Sequence, residues 1–211
     1  MEWSDFVQAW SARWSLPEEL PGLEAQRRLA PPLRAPEMHT LPRPEEAQKH
    51  AAVLVVVFPQ EGVLHTVLIE RPAYDGVHSG QMAFPGGGRE SQDVHWTDVA
   101  LREAEEELGI PTTIPVVLGP LTPLFIPPSG YFVQPILAAL PHPLEWKPDA
   151  REVAHVHCIP LHALDCRTAD IPHVGSVPAW CGIHPPIWGA SAMILAEVLA
   201  LPELRTFASP I

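Results

Sequence analysis

Proline is the feature that most limits what this chain can fold into. Twenty-seven of its 211 residues are proline. Proline fixes the backbone φ angle at about −65° and removes a hydrogen-bond donor, so it interrupts both helices and central strands. The chain is therefore expected to consist of short elements joined by restricted connections.

Strand and helix patterns alternate between these prolines. Residues 51–58 form an apolar, valine-rich run that predicts a strand buried on both faces. Residues 60–62 predict a turn, and residues 63–70 predict the returning strand of a hairpin. Further strands are predicted at 81–84, 114–119, 131–140 and 153–159, and helices at 93–108 and 187–201. The first of these helices is expected to have an Asp93 N-cap and to stop at Gly109. This mixture of elements predicts an α/β (α+β) sandwich.

The first 48 residues are predicted to be a proline-rich, partly helical extension in front of a domain at 49–211. One helix is predicted from four apolar side chains at near-helical spacing, Phe6, Val7, Trp10 and Trp14. A second short helix is predicted at 17–20, because proline is favoured at the first helical position. The proline-rich stretch 31–44 is expected to be extended.

The charge balance argues against two classes of partner. Acidic side chains outnumber basic ones by 25 to 13, which gives a formal net charge of −12. Nucleic acids and anionic membranes reward clustered lysine and arginine, so neither is expected as a partner. An anionic small molecule can still bind if a metal ion supplies positive charge locally.

The cysteine pattern indicates a reducing compartment. Cys158, Cys166 and Cys181 are odd in number and show no C-x-x-C spacing, so a disulfide framework is not expected. No apolar run approaches membrane-spanning length, and the acidic N-terminus does not resemble a secretory signal. A cytoplasmic protein is therefore expected.

Three glutamates, Glu103, Glu106 and Glu107, stand at positions i, i+3 and i+4 of a predicted helix. At about 3.6 residues per turn they share one face, within an arc of about 100°. They precede Gly109, so the negative end of the helix dipole disfavours each carboxylate by roughly 0.3–1 kcal/mol. A helix selected only for stability would carry lysine or arginine there. These three residues are called the acid cluster below.

The acid cluster has two interpretations. The ordinary one is a solvated acidic face. The functional one is a site for Mg²⁺ or Mn²⁺, because hard cations prefer carboxylate oxygens. Two neighbours favour the functional interpretation. A glycine triplet at 86–88, expected to form a loop, brings accessible main chain close, and Arg102 can pair with an acid and hold the cluster.

The segment 87–110 resembles the Nudix box, which reads glycine, five residues, glutamate, seven residues and then R-E-U-x-E-E-x-G-U, where U is aliphatic. The second half matches throughout, in Arg102, Glu103, Ala104, Glu106, Glu107, Gly109 and Ile110. The first half departs from the pattern. Five residues separate Gly87 from Asp93, which stands in place of the glutamate, and eight residues instead of seven separate Asp93 from Arg102.

Residues 67–87 are similar to the signature of the Nudix subgroup that hydrolyses coenzyme A, L-L-T-x-R-S-x-x-x-R-x-x-x-G-x-x-x-F-P-G-G. Arg71, Gly80 and the run 84–87 match it in register. Apart from Val67 in place of the first leucine, the departures are three: Ile69 for threonine, Pro72 for serine and Gly76 for the second arginine. This subgroup also shares the acid and the extra residue ahead of Arg102, and the resemblance covers about residues 50–200.

The resemblance implies a Nudix-like α/β/α sandwich with a mixed sheet, and a pyrophosphohydrolase that uses Mg²⁺ or Mn²⁺. The substrate would be a nucleoside diphosphate linked to another group, first of all coenzyme A or a derivative. ADP-ribose and dinucleoside polyphosphates are the alternative substrates. A Nudix-fold binding module without turnover is the rival of another class, although the complete acid cluster favours an enzyme. Whether the chain forms a homodimer is left open.

The resemblance also implies roles for individual residues. The acid cluster and the carbonyl group of Gly87 would bind the metal ions, and Arg102 would hold the cluster. The residues expected to contact the substrate are Arg71, Gly86, Gly87 and Tyr131. The general base is expected to be a box glutamate or Glu152 on a later loop, unless Glu152 is an ordinary exposed acid.

Three other sites keep two interpretations each. Arg71 either contacts a substrate phosphate or pairs with Glu70 or a box acid. Tyr131 either stacks on a base or seals a hairpin. The pattern of His155, His157 and Cys158 allows a zinc site, but no fourth ligand is spaced for it, so solvated or core histidines are favoured.

Overall fold

The structure is a computed structural model that describes residues 2–13, 20–72 and 80–204. Its centre is an eight-stranded sheet whose main strand order is β3-β2-β1-β7-β5. The strands are β1 (Lys49–Gln60), β2 (Val63–Glu70), β3 (Met82–Ala83), β4 (Gly86–Gly88), β5 (Val116–Pro120), β6 (Leu124–Ile126), β7 (Tyr131–Ala139) and β8 (His155–Pro160). β4 pairs with β1, β6 with β7, and β8 with β2.

The described part of the chain also contains a second sheet, four α-helices and three short 3₁₀ helices. The second sheet has the order β11-β10-β9, formed by β9 (Asp165–Ile171), β10 (Gly175–Cys181) and β11 (Ile187–Trp188). The helices are α1 (Trp3–Arg13), α2 (Gly22–Arg27), α3 (Trp96–Leu108) and α4 (Gly189–Ala200). None of the described helices is long and apolar enough to cross a membrane.

The large sheet is mixed, as predicted. β1 runs parallel to β7, from the Lys49–Tyr131 pair to the Val57–Ala139 pair, and antiparallel to both β2 and β4. Leu54 to Phe58 of β1 are fully buried, which confirms a strand covered on both faces. The β1–β2 hairpin turns at Glu61 and Gly62, both with positive φ, as the glycine at this point predicts.

The two faces of the sheet carry different layers. On one face, Ala52, Leu54 and Val67 pack with the buried stripe of α3. On the other face, Val55 and Leu68 pack with α4 and with the N-terminal helices. The result is the predicted α/β/α sandwich.

The N-terminal residues share the second of these cores. Phe6 and Trp10 of α1 are buried, and Trp3 Nε1 donates to the Leu140 carbonyl at 2.7 Å. Further along, Gln26 of α2 donates at 2.9 Å to the buried carboxylate of Glu197 in α4. The described N-terminal elements are therefore packed on the body, and a domain boundary at residue 48 stays a prediction. Trp14 and most of the helix predicted at 17–20 lie outside the described residues.

Three expectations about local structure are wrong, and three strands were not predicted. The stretch 31–44 is not extended throughout, because residues 32–34 form turns and Ala35–Glu37 form a 3₁₀ helix, whose first turn also accommodates proline. The glycines at 86–88 form a strand rather than a loop. Residues 187–188 form β11, so the last helix starts only at Gly189. Strands β6, β9 and β10 were not predicted, because their short or polar sequences lack a clear alternation.

The start of α3 also differs from the prediction. The helix begins at Trp96 with His95 as the N-cap residue, and the Asp98 carboxylate accepts the His95 N–H at 2.7 Å. Asp93 is not the cap, because its buried carboxylate is bound by Arg102. The predicted end is confirmed, since Gly109 caps the helix in the left-handed conformation with φ 66°.

Candidate active site

The acid cluster lies beside β4, called the glycine strand below. The N–H of Gly86 donates to Glu107 Oε2 at 2.8 Å, and Arg102 Nη2 donates to the Gly88 carbonyl at 2.9 Å. A Cβ atom on Gly87 would lie 2.5 Å from the carboxylate carbon of Glu103. The glycine strand therefore runs antiparallel to the last turns of α3, and at Gly87 the distance to Glu103 leaves no room for a side chain.

Two main-chain hydrogen bonds to β1, one on each side of the glycine strand, show which way its main-chain groups point. The N–H of Leu54 donates to the Pro85 carbonyl at 2.8 Å, and the N–H of Arg89 donates to the His50 carbonyl at 2.9 Å. Main-chain groups alternate sides along an antiparallel strand. Gly87 therefore turns its N–H and C=O groups toward β1.

The two outer glycines turn their main-chain groups away from β1, toward α3. This agrees with the hydrogen bonds of Gly86 to Glu107 and of Gly88 to Arg102. The Gly88 carbonyl is occupied by Arg102, and by the same alternation the Gly86 carbonyl lies on the α3 side of the glycine strand. The resemblance had placed the Gly87 carbonyl there.

Arg102 pairs with acids, as predicted, and it links the acid cluster to Asp93. Its Nη1 atom lies 2.9 Å from Glu103 Oε1 and 3.1 Å from Glu106 Oε2, while Nη2 lies 3.1 Å from Asp93 Oδ2. The hydrogen bond from Arg102 lowers the pKa of Asp93. Asp93 in turn raises the pKa of Arg102, with a smaller contribution from Glu103.

The three acids of the cluster are not equally accessible. The side chains of Glu103 and Glu106 are 12% and 58% exposed, and Glu107 is 2% exposed. Across the described ranges, no three His, Cys, Asp or Glu side chains already converge in an arrangement that could hold a metal ion. Arg102 accounts for this at the cluster, because its guanidinium stands between Glu103 and Glu106.

Burial leaves negative charge at the cluster poorly compensated. It raises the pKa of Glu107 to about 7, against the Gly86 hydrogen bond and the charge of Arg71, and the charges of Glu103 and Glu152 add to the rise. Burial also raises the pKa of Glu103, although Arg102 opposes this. A cation bound at the cluster would relieve both effects.

Residues 147–154, called the 147–154 loop below, bring Glu152 to the cluster. The Lys147 N–H donates to the Leu108 carbonyl at 2.9 Å, and the Asp149 N–H donates to the Glu107 carbonyl at 3.1 Å. Glu152 itself is exposed, and its charge contributes to the raised pKa of both Glu103 and Glu107. Glu152 is therefore an exposed acid whose charge acts on the cluster, and its role as the general base stays a prediction.

Arg71 and Tyr131 lie in different places. Arg71 follows the last residue of β2, and its charge lowers the pKa of Glu107. It does not pair with Glu70, whose carboxylate lies 2.9 Å from His157 Nε2. Tyr131 opposes Lys49 in the β1–β7 ladder, with the Lys49 Nζ atom 5.3 Å from its ring centroid. Tyr131 thus lies two residues along β1 from the Ala51–Gly88 pair.

The sequence did not predict two features of this region, the contact between His157 and Glu70 and the direction of the Gly86 carbonyl. The histidines of β8 form no metal site with Cys158, which accepts a hydrogen bond from Trp146 at 3.0 Å. Instead, His157 binds Glu70 across the β2–β8 ladder. The signal was the alternation of His155 and His157 opposite the end of β2. The side to which the Gly86 carbonyl points could not be predicted either, because it depends on the pairing register of the glycine strand.

Comparison with known proteins decides the family. The family model described as the NUDIX domain matches residues 48–179. The chain belongs to the Nudix family. It is 35% identical over 164 residues to the protein named Uncharacterized Nudix hydrolase NudL of Salmonella paratyphi B, an alignment that covers 72% of this chain and 81% of the relative. The predicted enzyme class, a Nudix pyrophosphohydrolase, is thereby confirmed.

Solved Nudix structures share the fold at low identity. A MutT/nudix family protein from Enterococcus faecalis superposes with a TM-score of 0.54 at 16% identity, covering 83% of this chain and 72% of that one. The Nudix hydrolase RenU from M. smegmatis superposes with a TM-score of 0.50 at 19% identity, covering 77% and 88%. Nudix proteins bind small nucleotide-like substrates and generally use divalent metal ions.

The contact between Gly87 and Glu103 predicts a sharp effect of a single methyl group. Gly87→Ala would place Cβ inside the Glu103 carboxylate, so it should displace that side chain and lower kcat roughly a hundredfold. Gly88→Ala is the matched control, because nothing lies within 4 Å of a Cβ atom there. Steady-state kinetics of both variants checks the prediction, and equal losses in the two would contradict it.

Proposed function

We propose that this Nudix hydrolase cleaves the pyrophosphate bond of a nucleoside diphosphate linked to a second group, in a reaction that requires Mg²⁺ or Mn²⁺. The observation that carries the proposal is the acid cluster beside the glycine strand. Buried carboxylates without full compensation, next to main-chain oxygen, have the donor chemistry of a divalent-cation site. They would only destabilise a helix end that had no ligand.

The metal ion would be held by Glu103, Glu107 and the carbonyl of Gly86, with Glu106 joining when its exposed carboxylate turns from Arg102 toward the ion. The donors are all oxygen, which suits Mg²⁺ and Mn²⁺. When bound, the ion would neutralise charge on the pyrophosphate and on the leaving phosphate. Arg102 would keep Glu103 oriented toward the glycine strand through its bonds to Asp93 and the Gly88 carbonyl.

We assign the general base to Glu152 and a substrate contact to Arg71. Glu152 is an exposed carboxylate beside two buried ones, so it can accept a proton from the attacking water while Glu107 serves the metal ion. Arg71 is close enough to influence Glu107 and has no carboxylate partner within 4 Å in the described part of the chain. Its guanidinium would bind a phosphate oxygen.

Coenzyme A or a derivative is the proposed substrate. The proposal is supported by the match of residues 67–87 to the signature of that subgroup, including Arg71 and Gly80. Tyr131, near the outer end of the glycine strand, would stack on the adenine base. ADP-ribose and dinucleoside polyphosphates are the competing substrates.

A substrate panel tests this choice. Coenzyme A, dephospho-coenzyme A, ADP-ribose and diadenosine tetraphosphate are each incubated with the protein and Mg²⁺ or Mn²⁺, and kcat/KM is compared. We expect the two coenzyme A compounds to be cleaved best, to a phosphopantetheine and an adenosine phosphate. A clear preference for ADP-ribose or the dinucleoside would contradict the coenzyme A assignment and leave the hydrolase assignment intact.

A substitution at Gly76 sharpens the same test. Gly76 lies outside the described residues and stands where the subgroup signature has an arginine. A charged hydrogen bond is worth about 1.5–3 kcal/mol, or roughly ten- to a hundredfold in affinity. Gly76→Arg should therefore raise kcat/KM for coenzyme A relative to kcat/KM for dephospho-coenzyme A, which lacks the extra phosphate.

A further inference from the structure

Glu70 and His157 form a pair at the point where β2 ends. Glu70 is the last residue of β2, and its Oε2 atom lies 2.9 Å from Nε2 of His157 in β8. Their side chains are 22% and 24% exposed, so the contact is partly shielded from water. The function proposed above does not use either residue.

The pair lies across the sheet from the acid cluster. Side chains alternate faces along a strand. Ile69 belongs to the core under α3, and Leu68 belongs to the core on the other side. Glu70 therefore points away from α3, toward His157, whereas Arg71 returns to the face of the acid cluster. A change in the pair cannot alter the cluster by direct contact.

One main-chain hydrogen bond joins the pair to the site. The N–H of Ala154 donates to the carbonyl of Glu70 at 2.8 Å, and His155 is the ladder partner of Glu70. Arg71 follows this rung by one residue, and Glu152 precedes it by two. The rung therefore ties together the two segments that carry Arg71 and Glu152.

The 147–154 loop is held at two ends only. One end is bound to the last turn of α3, through the Asp149 N–H on the Glu107 carbonyl. The other end is the Ala154–Glu70 rung, with Val153 buried beside it. Between these ends, the N–H groups of Glu152 and Val153 bond only locally, to the Asp149 carbonyl. The position of Glu152 relative to the cluster thus depends on how firmly β8 is held to the end of β2.

We propose that the Glu70–His157 pair is a positioning device that clamps the ends of β2 and β8, and thereby sets Glu152 and Arg71 against the acid cluster. The inference rests on the proposed function, because it assumes that these two residues act in catalysis. Glu70 and His157 are positioning residues: they act through the strand ends and make no contact with the substrate.

The first test breaks the pair without touching the site. His157→Ala should lower kcat roughly tenfold, because small misplacements of catalytic groups are costly, while the affinity for Mn²⁺ changes less than about twofold. His157→Gln keeps a donor for Glu70 and should retain most of the activity. Arg167→Ala is the matched control, since it breaks an exposed pair with Asp165 at 2.6 Å in the second sheet. Wild-type kcat in His157→Ala, or an equal loss in Arg167→Ala, would overturn the inference.

A double-mutant cycle identifies the residue through which the pair acts. If His157 positions Glu152, then His157→Ala should lower kcat much less in a Glu152→Gln background than in the wild type. Equal fold losses in both backgrounds would show that the pair does not act through Glu152. Full activity of Glu152→Gln alone would also overturn the inference. In that case the proposed hydrolase function would still stand, because the wild type would still turn over its substrate.

Hydrogen exchange tests the clamp without any activity. In the wild type, the amide of Ala154 should be protected by its bond to Glu70, and His157→Ala should make it exchange at least several-fold faster. Arg167→Ala should leave that rate unchanged. Unchanged exchange in His157→Ala would overturn the clamp, even if the wild type turned out to hydrolyse none of the compounds of the panel.

Discussion

Glu107→Gln is expected to lower kcat on the order of a thousandfold and, at the same time, to stabilise the metal-free protein above neutral pH. The catalytic loss follows from removing a proposed metal ligand that also anchors the glycine strand through Gly86. The gain in stability follows from removing a buried charge, which glutamine replaces at nearly the same size while still accepting the Gly86 N–H.

The pH dependence of this stability gain has a definite sign. Burial raises the pKa of Glu107 to about 7 in the folded protein, against about 4.3 in an unfolded chain. Between these values the folded state holds the proton more often, so the free energy of unfolding of the wild type falls as pH rises through this window. The stability of Glu107→Gln lacks this dependence on pH. Its free energy of unfolding should therefore equal that of the wild type near pH 4 and exceed it by the full amount above pH 7.

Thermal melts at several pH values, with metal removed, measure this effect alongside steady-state kinetics. Glu105→Gln is the matched control, because Glu105 is an exposed acid of the same helix outside the acid cluster. It should alter neither kcat nor the pH profile of the melting temperature. A variant Glu107→Gln that melts well below the wild type while keeping its activity would show that this acid is structural.

Turnover is expected to be abolished by chelation and restored by Mg²⁺ or Mn²⁺. The metal must also compete with the proton on Glu107, because the ligand has to be ionised. Below pH 7 the affinity for the metal should therefore fall by up to about tenfold per pH unit, with the release of about one proton per ion bound.

Titration calorimetry in two buffers of different ionisation enthalpy measures both the affinity and the proton release. In Glu107→Gln, the remaining binding should be weak and should show little dependence on pH near 7. Full turnover after exhaustive chelation would rule out the metal requirement. Tight binding that does not vary between pH 5 and pH 8 would place the ion away from Glu107.

Local patterns were enough to predict the elements that surround the site. The valine-rich run of β1, the glycine of the β1–β2 turn and the left-handed Gly109 each carry their structure in a few neighbouring residues. The spacing of the acid cluster likewise follows from the helical period alone. These features are predictable because they depend on side-chain periodicity and on backbone conformations that favour glycine.

Other features depend on residues far apart in the chain. Glycine has a low strand propensity, so the strand Gly86–Gly88 exists only because it pairs with Ala51–Val53 of β1. Asp93 has the local chemistry of an N-cap, but Arg102, nine residues later, binds its carboxylate. Glu152 approaches the cluster through a loop tied to both α3 and β2. No local pattern encodes these contacts.

The hairpin of β9 and β10 was missed for a different reason. Most residues of β9 are exposed, so its sequence lacks the apolar alternation that marks a half-buried strand. Its partner β10 contains Pro178, which argues against a strand when only local sequence is considered. The two strands form nevertheless, because they pair with each other across a turn at 172–174.

The most direct measurement of the central claim is product analysis in ¹⁸O-labelled water. The wild-type protein is incubated with coenzyme A and the other compounds of the panel in the presence of Mg²⁺, and the products are identified by mass spectrometry. We expect each coenzyme A compound, and ADP-ribose if it is cleaved, to give two phosphomonoester products, one of which carries a single ¹⁸O atom from water. Glu107→Gln should form the labelled product on the order of a thousandfold more slowly. Metal binding by a folded protein that cleaves none of these compounds would contradict the account and would indicate a nucleotide-binding module instead.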